Sequence, residues 1–233
     1  MTQTISTMAS PYRSAGRAAI ASGIVGIIGY AFLITAVTTR TEVALSLNNP
    51  TYVMFKTHDV LVIFHFIFII PTTFALYRLS QLQPRAISKL TLRLGAGAAF
   101  FTALFLILGI FLIISDGLYS VPQGVFGVWM IIVCKNRQNI LSKGLRWFGM
   151  IVGLGLIITG LFFPLYAIFV SSTVLKIPAV DPSDPANFPD HVTWINEHLH
   201  YLLDVGSVIG MLTFPFWTLF IGRKLLREKL NKV

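Results

Sequence analysis

Six apolar stretches dominate this chain: Ala18–Val37, Val60–Tyr77, Leu94–Ser115, Val121–Cys134, Trp147–Val170 and Tyr201–Gly222. A helix needs about 20 apolar residues to cross the hydrocarbon of a bilayer. The fourth stretch is short but strongly apolar; the others reach or approach that length. None shows the period-two alternation of a membrane barrel strand. Hydrophobic residues make up 55% of the 233 residues and charged ones 12%. That leaves too little polar surface to cover a water-soluble globule. The reading is an all-α, single-domain, six-span membrane bundle. It excludes most cytosolic enzymes, nucleic-acid binders and disordered chains. The principal partner is the lipid bilayer. The longest connection, 171–200, holds PAVDPSDPANFPD, whose four prolines and three aspartates mark a loop.

The cations sort by loop. Arg13 and Arg17, then Arg78, Arg85, Lys89 and Arg93, then Lys135, Arg137, Lys143 and Arg146, then Arg223, Lys224, Arg227, Lys229 and Lys232 fall on one side of a six-span chain. The other side holds Arg40, Lys56 and Lys176, and of the acids only Glu228 lies among the cationic segments. The net charge of +9 is therefore a topological signal rather than a nucleic-acid one. The positive-inside rule places both termini in the cytoplasm. Cys134, beside Lys135, is expected to be reachable from that side. As the one cysteine, it excludes an intramolecular disulfide and a Cys-based zinc site.

Ionisable side chains in or beside spans are costly, so their placement is informative. Here they gather at the end opposite the cations. Span two opens with His58 and Asp59 and carries His65, span three is followed by Asp116, and span six is entered through Glu197, His198, His200, Tyr201 and Asp204. Counted from those span starts, His65 and Asp204 lie at a similar depth, roughly 10 Å in at 1.5 Å per residue. The expectation is that they pair, with Asp116, His58 and His200 within a shell or two. Imidazole and carboxylate together are ligands for a transition metal, with His65, His200 and Asp204 the candidate set. They also suit acid–base chemistry or a proton relay. The plainer alternative is a hydrogen bond that ties helices together. Haem fits poorly, because His58 and His65 serve one face of one helix and no second deep pair exists. Small residues at helix-packing spacing are Ser22, Gly26 and Gly29, Gly149 and Gly153, and Gly206 and Gly210. They read first as packing within the bundle and second as a homo-oligomer contact. In the long loop, Trp194 and Ile195 are expected to touch the bundle.

The segment GVFGVWMIIVCKNRQNILSKGLRWFGMIVGLGLIITG, residues 124–160, joins a short span to a basic loop and a Gly-rich span that opens with Trp147. It resembles a recurring feature of small six-span bacterial membrane proteins grouped as a domain of unknown function. Beyond 124–160 the resemblance is one of topology. It implies the six-helix fold and the bacterial inner membrane, and it brings no catalytic residues with it. Three function classes follow: a membrane-embedded subunit, sensor or stress-response component; an outward-facing, metal-dependent membrane enzyme on a lipid or small apolar substrate; and a small solute or proton-coupled transporter.

Overall fold

The computed structural model describes residues 10–39, 49–82, 86–136, 141–179 and 194–227. They form α1 (Ser10–Thr38), α2 (Pro50–Gln81), α3 (Lys89–Ile110), α4 (Ser120–Asn136), α5 (Lys143–Phe169), α6 (Trp194–Gly206) and α7 (Phe214–Arg227). A 3-10 turn, Asp116–Tyr119, leads into α4. A π-helical turn, Ser207–Met211, joins α6 to α7, so the two make one continuous span. Among the described residues, six helical segments are long and apolar enough to cross a membrane. Among the described residues there is no strand. The chain is an all-helical integral membrane protein.

Local chemistry sets the helix ends. Asn49 accepts a hydrogen bond from the Thr51 amide at 2.9 Å, with Pro50 in the first turn, and starts α2. Ser88 and Ser142 cap α3 and α5 in the same way. The π-helical turn lies just before Pro215. A proline removes its own N–H and crowds the carbonyl four residues back, here that of Met211. The helix widens over 207–211 to absorb that conflict, and the Thr213 hydroxyl donates to the Ile209 carbonyl inside the turn.

The helices pack in chain order, and α7 closes the circle against α1. Phe66 from α2, Phe126 and Trp129 from α4, and Phe214 from α7 meet across helices that are not ring neighbours, so they fill the centre. The ring centroids of Phe66, Phe126 and Phe214 are 5.3–5.9 Å apart. Trp129 lies 4.8 Å from Phe126. Close approach is purchased with glycine at one seam in particular. A Cβ on Gly155 of α5 would sit 2.3 Å from the Gly210 amide nitrogen in the π-helical turn. Gly149, Gly153, Gly206 and Gly210 all face neighbouring helices of the same chain.

The helices extend past the spans expected from hydropathy. α2 begins at Pro50, ten residues before Val60, and α6 begins at Trp194, inside the segment read as loop. Counting about 20 residues back from Arg78, Lys135 and Arg223 at the basic end leads to His58, Ser115 and Leu203 at the other. The first turns of α2 and α6 therefore project beyond the hydrocarbon. Cys134 is fully buried and backs onto Gly149, which corrects the expectation that it is reachable from the basic side. Trp194 is 71% exposed and stacks on His198 of its own helix at 4.2 Å, rather than touching the bundle. The loop expectation for Asp181–Asp190 lies outside the described residues.

Candidate functional site

At the end opposite the cations, side chains from α1, α2, the 3-10 turn and α4 converge. α2 carries Lys56 and Asp59 on one face, three residues apart. The chain leaves α3 through Leu112, whose φ of 56° is left-handed. It then drops Asp116 against Gly109, where a Cβ would meet the carboxylate at 2.6 Å. Lys56 Nζ donates to Asp116 Oδ2 at 2.9 Å and lies 3.8 Å from Asp59 Oδ2. Behind them, Asp59 Oδ1 and His58 Nδ1 are 3.0 Å apart. The His58 ring then meets Tyr30 of α1 at 5.5 Å between centroids. Deeper still, Ser120 and Gln123 share the inner face of the first turn of α4.

The result is a cluster with a charged, partly exposed mouth and a buried floor, a polar well in its chemistry rather than in open volume. Asp116 at the mouth has half its side chain exposed, whereas Tyr30, His58, Ser120 and Gln123 are buried. The floor is under-satisfied. Tyr30 Oη, His58 Nε2, Ser120 Oγ and both amide atoms of Gln123 have no hydrogen-bond partner. The Gln123 side chain lies beside the Tyr30 hydroxyl, near enough for the two to pair after a small adjustment, but short of a well-formed hydrogen bond. An unsatisfied buried polar group costs about 1–3 kcal/mol. Beyond the floor lie the central aromatics Phe66, Phe126 and Phe214.

Of the residues expected from sequence, His58, Asp59 and Asp116 belong to this well. The others do not. His65 is fully buried among Phe66 and Phe214. Its Nδ1 donates to the Ser22 carbonyl at 2.8 Å, and the Ser22 hydroxyl donates to the His65 carbonyl at 2.8 Å. It clamps α2 to α1, over a Gly26 whose Cβ would collide with the imidazole at 2.8 Å. Asp204 is exposed on α6. The expected His65–Asp204 pair does not form, for two reasons. α6 packs on α5, whereas α2 packs on α1 and α3. The helix starts also differ from those assumed, so the two residues lie at different depths.

Glu197, His198, His200 and Tyr201 are exposed on the projecting turns of α6. His198 Nδ1 donates to its own helix at the Trp194 carbonyl, 2.8 Å away. His200 rests against Phe162 at 5.4 Å. The candidate metal set His65, His200 and Asp204 is thus not brought together. Among the described residues no three His, Cys, Asp or Glu side chains are placed to hold a metal ion.

Sequence reasoning missed Tyr30, Lys56, Ser120 and Gln123. Gln123 carried a readable signal as an amide inside an apolar span, and Lys56 another, three residues before Asp59. Tyr30 and Ser120 carried none, because a tyrosine or serine in a span is ordinarily unremarked packing. Comparison with family models, curated proteins and solved structures finds no match to this chain.

Proposed function

We propose that this chain is a ligand-binding sensor or complex subunit of the bacterial inner membrane, with both termini cytoplasmic and the polar well opening outward. The observation that carries this reading is the convergence of unpartnered buried donors and acceptors from three helices beside the charged groups Lys56, Asp59 and Asp116; the unpartnered nitrogens of His65 and Trp217 lie instead among aromatic rings. Such groups are retained against their cost where a ligand or ordered water completes them. Lys56 is engaged by two carboxylates at the mouth, and the floor offers a phenol, a hydroxyl and an amide beside the imidazole that Asp59 holds. A small, neutral compound that both donates and accepts hydrogen bonds fits that set. The inner-membrane assignment rests on the charge sorting and on the resemblance over residues 124–160.

The test is a thermal-shift screen of the full chain in detergent against small neutral hydrogen-bonding compounds, on wild type and on Gln123→Leu. Compounds that raise the melting midpoint of the wild type alone support the reading. A screen in which no compound separates the two proteins, the well holding only water, overturns it.

One further reading has an observation in its favour. Asp59 holds His58 by Nδ1 and leaves Nε2 buried and unpartnered, which is how a general base is held. No described residue hydrogen-bonds that nitrogen, so a substrate of a membrane enzyme would itself bring the proton to be removed. His58→Gln would then abolish turnover while preserving binding. Transport has no comparable observation in its favour.

A further inference from the structure

A second site lies at the basic end, on the outside of the ring. α5 is pressed onto the π-helical turn through Gly155 and Gly210 but diverges from α7 below it. The gap that opens is a cavity of about 520 Å³ between the start of α5 and the end of α7. Arg223, Lys224 and Arg227 line one wall. Phe148 and Phe220, with ring centroids 6.1 Å apart, form its apolar floor. The described acids, Asp59, Asp116, Glu197 and Asp204, all belong to the opposite end; Glu228 follows Arg227 in sequence and lies outside the described residues.

We infer that this cavity binds the phosphate of an anionic glycerophospholipid. Arg223 and Arg227 bring two guanidinium groups to one cavity, and guanidinium groups suit a phosphodiester in charge and geometry. Basic pockets between transmembrane helices at the headgroup level are physically suited to such lipids. The level is right: the cavity sits where α5 enters and α7 leaves the apolar region, beside an exposed Trp147 of the kind found at the interface. Towards the membrane centre, Phe220, Phe216 and Ile151 are exposed. They offer acyl chains an apolar strip running away from the cations. A soluble anion would have no use for that strip.

The experiment is native mass spectrometry of the full chain in detergent, with equal amounts of phosphatidylglycerol or phosphatidylcholine added. Wild type should retain phosphatidylglycerol preferentially. Arg223→Gln with Arg227→Gln should weaken retention about tenfold or more, at the strength of one charge contact per arginine. Lys89→Gln with Arg93→Gln removes the same charge from the same end, outside the cavity, and should leave retention intact. Gly144→Leu fills the cavity from its other wall, where a Cβ meets no atom within 4 Å, and should displace the lipid without changing charge. Equal retention of both lipids, equal loss in the Lys89/Arg93 control, or binding of inorganic phosphate alone at the same arginines overturns the inference.

Discussion

His58 and His65 lie seven residues apart on one helix and do different work. His65 has its Nδ1 satisfied by Ser22 and is walled in by aromatic rings, so its role is to join α1 and α2. The join depends on backbone approach at Gly26 more than on one hydroxyl. Gly26→Val should therefore destabilise by about 2–3 kcal/mol through overpacking, against about 1 kcal/mol for Ser22→Ala. Unfolding in mixed detergent micelles would measure both, and equal losses would remove the clamp argument. Both rings leave Nε2 unpartnered, but His58 lies against Tyr30 and Asp59 near the charged end, whereas His65 lies among aromatic rings. Replacing one such group by an apolar isostere should relieve its cost. Without ligand, Gln123→Leu is expected to melt at or above the wild-type temperature, a gain of up to about 1–3 kcal/mol. A clear loss of stability would mean that the amide is satisfied after all.

Among the elements, the turn after α3 and the π-helical turn store the most conflict. Leu112 adopts a left-handed backbone, which costs a non-glycine residue about 1–2 kcal/mol, and its side chain is half exposed. Leu112→Gly should raise stability by about 0.5–1 kcal/mol once the added flexibility of glycine is deducted. A fall in melting temperature would show that the leucine contributes packing worth more than the strain. α6 is the least supported helix, with only Leu199 and Gly206 buried. Hydrogen exchange should run faster across Glu197–Asp204 than across the amides near Phe66 in α2. Slower exchange in α6 would require a partner covering it.

For the whole molecule, orientation is the open geometric quantity, and Cys134 cannot report it because it is buried. A probe at Lys143, exposed at the basic end, can. In a Cys134→Ser background, Lys143→Cys should resist an impermeant maleimide in intact cells and label after permeabilisation, while Trp194→Cys should label at once. The reverse pattern would invert the topology and turn the polar well inward. The ring also explains why polar groups collect where they do. The aromatic centre holds only isolated polar atoms, the ring nitrogens of His65 and Trp217, whereas the groups of the floor gather near one end, beside the charged mouth.

The helical class and number of spans are local properties, and sequence alone determined them. Backbone hydrogen bonds in lipid must close within each segment, so about 20 apolar residues specify a spanning helix wherever it is placed. The polarity of the two ends followed from the same kind of counting, since charge beside a span is equally local. The polar site was only half legible. His58, Asp59 and Asp116 stood out as ionisable groups, but their company depended on which helices are neighbours and where each helix starts. Those are set by the capping of α2 at Asn49, the early start of α6 at Trp194, and the closure of α7 on α1. Tertiary packing therefore decided that His65 belongs to Ser22 and not to Asp204. It also decided that Tyr30, silent in the sequence, and Gln123, readable only as an amide in an apolar span, form the floor of the well, because burial and direction exist only once the ring has closed.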